Sequence, residues 1–143
     1  MRWTKVVAYI VREVEGKRQL LVLTHRDYPE AGLQVPAGTV DEGEGIEDAL
    51  RREVTEETGL TNFKVVREIA TYEWLHPITG NVHERHVFLL LAPQEAPDMW
   101  EWIETSGGAV PDHEGYVFCY YWADLDGEIE LAGNFGDYLH AIR

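Results

Sequence analysis

Ile46, Leu50 and Val54 recur at i, i+4 and i+8 within GEGIEDALRREVTEETGL, residues 43–60, and nearly everything around this segment reads as strand. The three side chains form one apolar stripe on a helix. Gly59 followed by Leu60 predicts its end: a residue tolerant of the left-handed conformation, then an apolar residue that folds back on the last turn. WTKVVAYIVREV (3–14) is rich in β-branched residues and apolar on both faces in its middle, which predicts a buried strand. QLLVLTHR (19–26) is its hairpin partner across EGKR, and LQVPAGTV (33–40) is a short extended piece broken by Pro36 and Gly38. Segments 62–75 and 81–92 predict two more strands, and GYVFCYYW (115–122) another, with Tyr116, Phe118, Tyr120 and Trp122 on one face. Residues 93–114 contain three prolines and two glycines and read as a long loop; NFGDYLHAIR (134–143) reads as a short terminal helix. One amphipathic helix among strands, with a second at the end, predicts a mixed sheet covered on both faces, in one α/β domain over residues 1–143.

The helix carries a conflict. Glu53, Glu56 and Glu57 share one face at its C-terminal end, where the macrodipole is negative and a carboxylate is disfavoured by roughly 0.3–1 kcal/mol. Glu53 and Glu57 add an i,i+4 like-charge repulsion of a few tenths of a kcal/mol. A cluster that breaks local rules without local gain marks a functional site, and a divalent cation would supply the gain. An EF-hand does not fit, because the alternating Asp/Asn ligands of its loop are absent.

Residues 38–60, GTVDEGEGIEDALRREVTEETGL, extend the pattern: Gly, five residues, Glu, seven residues, Arg-Glu, an aliphatic, any residue, Glu-Glu, any residue, Gly, an aliphatic. Gly38, Glu44, Arg52, Glu53, Val54, Glu56, Glu57, Gly59 and Leu60 resemble the Nudix box at every defined position. The resemblance implies an α/β/α sandwich and Mg²⁺-dependent hydrolysis (Mn²⁺ able to substitute) of a nucleoside diphosphate linked to another group. It implies Glu53, Glu56 and Glu57 as metal ligands, with the Gly38 carbonyl a further one. Arg52 would orient the catalytic carboxylate, Glu44 would support the loop, and Gly59 would end the helix. Substrate identity lies outside the box. A dinucleoside polyphosphate, a nucleoside triphosphate and a non-catalytic nucleotide-binding module stand as alternatives, and relatives that form dimers make a homodimer the expectation to test.

Twenty-six acids against twelve bases give a formal charge of −14. That balance predicts a small nucleotide substrate and no nucleic acid polymer, since a polyphosphate chain is repelled by the average surface. Cys119 is the single cysteine, so no internal disulfide forms, and a reducing cytoplasm is the expected setting. No apolar run reaches a membrane span, and the N-terminal segment does not read as a signal peptide.

Outside the box, Asp112 and Glu114, beside the entry to the last strand, are candidates for a general base that similar enzymes draw from a distant loop. Arg26 is a candidate for a substrate phosphate, and Trp100, Trp102 and Tyr116 for contact with a base. His83 and His86 stand at i and i+3 on a strand, facing opposite sides, and read as surface histidines. Cys119 reads as a buried thiol.

Overall fold

A computed structural model describes residues 1–104 and 116–143. Its strands are β1 (Arg2–Val14), β2 (Lys17–His25), β3 (Ala37–Thr39), β4 (Lys64–Leu75), β5 (Val82–Leu91), β6 (Met99–Glu104) and β7 (Tyr116–Asp124), with one α-helix, α1 (Ile46–Thr58), between β3 and β4. They form a seven-stranded sheet in the order β4-β5-β1-β2-β7-β6, with β3 paired to β1. The sheet is mixed: β1 and β5 are parallel over Arg2–Val11, and every other pairing is antiparallel.

The splaying of one hairpin shapes the site. β1 and β2 pair only where they meet their turn, from Val11–Leu20 to Val14–Lys17. Beyond that they part, and residues 34–39 fill the gap. Gln34 bridges to Leu23, the Ala8 amide donates to the Pro36 carbonyl at 2.9 Å, and β3 pairs with Lys5–Val7. Pro36 has no N–H to give, and here only its carbonyl is used. The short extended piece is thus threaded into the sheet and passes directly under α1.

Alternation along β1 and β2 sorts the core into two layers. Val6, Ala8, Ile10, Leu21 and Leu23 face α1, meeting Leu50 and Val54 of the predicted stripe. Val7, Tyr9, Val11, Leu20 and Val22 face the C-terminal segment, where Leu139 and Ile142 are buried. That second layer differs from the expectation. The terminal segment forms two 3₁₀ turns, Ala132–Asn134 and Leu139–Ala141, in place of a helix. Gly133 and Asn134 stand at φ +61° and +63°, a conformation that interrupts a right-handed helix. Side chains hold the segment down: the Tyr9 hydroxyl donates to the Phe135 carbonyl, and Trp74 Nε1 donates to Asn134 Oδ1.

The second difference is β6. The segment read as a long loop contains a six-residue strand paired with β7 from Met99–Tyr121 to Glu104–Tyr116. Its alternation of indoles with acids hides beside Pro93 and Pro97, and its partner strand supplies the ladder.

Candidate active site

The last two turns of α1 bring Arg52, Glu53, Glu56 and Glu57 to a hollow of about 390 Å³ walled by β3 on one side and Glu104 of β6 on another. Arg52 organises it. Its Nε and Nη2 take both oxygens of Glu44 at 2.8 and 2.9 Å, and Nη2 also reaches the Thr39 carbonyl at 3.0 Å. Its Nη1 donates to Glu53 at 2.8 Å and Glu56 at 3.0 Å. One guanidinium therefore ties the loop before the helix to two glutamates on it. Glu44 also accepts from the Asp41 amide at 3.0 Å, and the two partnerships hold its carboxyl down at about 2, Arg52 contributing most.

Glu53 and Glu57 go the other way. Burial raises the Glu53 carboxyl against the pull of Arg52. Glu57 is raised well above the usual range by burial, then by Glu53 and Glu104, and the Ala37 amide, 3.1 Å away, favours its charge. Gly38 lies against the Glu53 carboxylate with no room for a side chain.

Three aromatic side chains finish the helix end. Trp102 Nε1 donates to the Glu56 carbonyl at 2.8 Å, the Tyr120 hydroxyl to Glu57 at 2.7 Å, and Trp100 Nε1 to Thr58 at 2.8 Å. These are among the carbonyls that a helix leaves without internal partners. Neutral donors on them soften the negative pole that the carboxylates above would otherwise feel. Gly59 ends α1 at φ +77°, and a β-carbon there would come within 2.5 Å of the Trp102 ring. Trp100 and Trp102, expected against a substrate base, thus have their indole N–H groups on the helix, and Trp100 is stacked on Tyr120 at 4.9 Å. The role of Tyr120 was not legible in sequence; its spacing on the aromatic face of the last strand was the only signal.

A second cleft, about 640 Å³, adjoins the first and shares Ala37 and Gly38 with it. Its character is opposite. Lys5 and Arg85 supply positive charge, and Trp74, His76, His83 and Phe135 supply rings. Lys5 donates to Thr39 Oγ1 at 2.6 Å, and burial lowers its ammonium below the ordinary value, with Arg85 adding to the fall and Glu53 and Glu57 opposing it. Sequence reasoning did not find these residues, because β1, β5 and the C-terminal turn meet only in the fold.

Other candidates lie elsewhere. Arg26 pairs with Asp27 at 3.3 Å and stands 3.9 Å from Glu101, and it lines neither cleft. Tyr116 packs edge-on against His25 and Tyr28, also away from both. His83 faces the second cleft, while His86 bonds Glu68 and Glu84 on the other face. The Cys119 thiol is half-buried, 3.8 Å from Glu101, and raised by burial. Asp112 and Glu114 lie outside the described residues. Among the described residues no three His, Cys, Asp or Glu side chains are already gathered as a metal centre, Glu53 and Glu56 being turned toward Arg52. No helix among them is long and apolar enough to cross a membrane.

Residues 2–107 match the family model of the NUDIX domain. The RNA pyrophosphohydrolase of Sulfurovum sp. (strain NBC37-1) is 29% identical over 81% of this chain and 76% of its own length. That of Bartonella clarridgeiae is 33% identical over 56% of this chain, which spans about half (51%) of that relative. A MutT NUDIX hydrolase from Burkholderia pseudomallei superposes over 100% of this chain and 99% of its own with a TM-score of 0.70 at 23% identity, a likeness of fold. These names correct one expectation. The exclusion of a nucleic acid polymer does not stand, because two such relatives are named for RNA, and a third, the NAD-capped RNA hydrolase NudC of Vibrio parahaemolyticus, is 30% identical over 54% of this chain and 29% of its own. Net charge describes the average surface and does not exclude an anionic polymer, and one cleft of this negative chain holds Lys5 and Arg85. With the box residues gathered on α1 and β3 and the sheet built in the same manner, this chain belongs to the NUDIX domain family.

Proposed function

We propose that this Nudix hydrolase, which acts on phosphoanhydride bonds, is a divalent-metal-dependent pyrophosphohydrolase whose nucleotide substrate lies across the Ala37–Gly38 strand. One observation carries the reading: a carboxylate-rich hollow and a cationic, aromatic cleft meet at those two residues. A phosphoanhydride needs the first, and a nucleoside with its phosphate suits the second.

The donor set fits a hard cation. Glu53, Glu56 and Glu57 offer oxygen only, and Glu57 is half-buried with no cationic partner among the described residues. These three, with the Gly38 carbonyl, would hold Mg²⁺, with Mn²⁺ able to substitute. Bound there, the ion would neutralise the charge of the diphosphate and so lower the barrier to attack by water. Arg52 would keep Glu53 and Glu56 oriented and release them to ligand duty, because its grip on Glu44 is independent of them. The proton of the attacking water goes to a carboxylate. Glu53, already raised by burial, is one candidate. Asp112 and Glu114, which lie outside the described residues, are the others. Comparing pH–rate profiles of Asp112→Asn and Glu114→Gln decides: loss of a general base costs about a hundredfold, and a change below about threefold in both assigns the role to Glu53.

The relatives' names favour a 5′-phosphorylated RNA end among the substrates to be tried. The deciding experiment incubates the protein with a 5′-triphosphorylated RNA oligonucleotide, a diadenosine polyphosphate, ADP-ribose and a nucleoside triphosphate, each with Mg²⁺ and with chelator. Metal-dependent release of phosphate, pyrophosphate or mononucleotide from one of them supports the proposal. Binding without turnover of any would make the chain a nucleotide-binding module instead.

A further inference from the structure

Lys5 on β1 and Arg85 on β5 are direct partners in the parallel ladder, and both side chains line the second cleft. Like charges placed opposite one another on neighbouring strands are destabilising. Arg85 makes the arrangement costlier, since it is only 3% exposed. Among the described residues no carboxylate bonds it: the hydrogen bonds of Arg85 run from Nη1 to the Gly133 carbonyl at 2.6 Å and the Tyr72 hydroxyl at 3.1 Å, both neutral. Trp74 and Phe135 flank the guanidinium, each ring centroid 4.2 Å away, and fix its plane. Lys5 has its hydrogen bond on a neutral group, Thr39 Oγ1, and Glu53 and Glu57 across Gly38 act on its ammonium through space, with no ion-pair contact between them among the described residues. In a chain with 26 acids to 12 bases, a direct ion pair for each would have been the ordinary outcome.

We propose that Lys5 and Arg85 form an anion site for the phosphate that stays with the nucleoside, on the opposite side of Gly38 from the carboxylates. This rests on reading the second cleft as the nucleotide's side. A planar guanidinium held between two rings and a compact ammonium beside it suit the tetrahedral oxygens of a phosphate. The bond broken then lies beyond that phosphate, and the product retained in the cleft is a nucleoside 5′-monophosphate or the 5′-monophosphorylated end of an RNA. The same two side chains would serve either source.

The test is binding without turnover, by calorimetry in chelator. The probes are adenosine and guanosine, their 5′-monophosphates, and a tetranucleotide RNA with and without a 5′-monophosphate. The phosphate should strengthen binding at least about tenfold in the mononucleotide pair or in the RNA pair, and the pair that responds identifies the source. Lys5→Met should bring that preference to within about twofold, and Arg85→Lys, which keeps the charge but loses the fork, should cut it several-fold. Thermal midpoints near wild type establish that the variants are folded; if Arg85→Lys is not, Lys5→Met alone decides. No phosphate preference in wild type, or a full preference in folded Lys5→Met, overturns the proposal. Failure of the hydrolase reading is a separate result, because it appears as absence of turnover while the metal-free preference persists.

Discussion

Gly38 has no room for a β-carbon, because the Glu53 carboxylate occupies the space where one would stand. Gly38→Ala should therefore swing Glu53 out of the hollow while leaving the sheet intact. Displacement of a catalytic group by about 1 Å can cost a hundredfold, and kcat should fall on that scale. Steady-state rates beside circular dichroism measure both halves, and a near-normal rate would mean that Glu53 acts from another position.

Glu53→Gln and Glu57→Gln should each lower kcat by about a hundredfold or more, the scale for loss of a ligand or general base. Stability in metal-free buffer should hold or rise, since each change removes a like charge from a crowded, negative helix end. Chelator should abolish wild-type turnover and leave the fold in place, because core packing of Leu50 and Val54 holds the helix. Unchanged rates in both variants would make the cluster dispensable.

Tyr120→Phe removes the donor on the Glu57 carbonyl inside the core and strands that carbonyl. The expected loss is about 1–3 kcal/mol in urea unfolding. Activity should fall as well, since the same turn carries Glu57. A loss of stability with kcat intact would show that the helix end tolerates movement.

Glu44 gives a pH signature. Its folded-state value, about 2, lies below the ordinary 4.5. A depressed carboxyl contributes stability above the ordinary value and loses it as pH falls through the folded one. Glu44→Gln should thus be less stable than wild type at neutral pH, and the gap should close between about pH 4.5 and pH 2. Melting curves across that window check it. A gap independent of pH would assign the effect to packing instead.

The parts of the site carried by consecutive residues were legible in the sequence. The stripe of Ile46, Leu50 and Val54, the stop at Gly59 and the shared face of the three glutamates all follow from helical spacing. What escaped depends on long-range pairing. MWEWIE is a strand because GYVFCYYW lies beside it, and its flanking prolines read as loop. Lys5 and Arg85 lie eighty residues apart and become neighbours only through the parallel register of β1 and β5. The terminal helix failed for a local reason, the positive φ at Gly133 and Asn134, where the segment is fastened to β1 and β4.

Threading of residues 34–39 between β1 and β2 has a kinetic consequence. A catalytic backbone on a peripheral loop can open on its own, and its amides exchange with solvent far faster than the core does. Here the Ala8 amide is bonded to the Pro36 carbonyl, so freeing it means parting β1 from the segment threaded beside it in the middle of the sheet. Hydrogen exchange at the Ala8 amide should run at the rate of global unfolding. Selection among substrates then falls to the walls of the two clefts, around a floor that does not move.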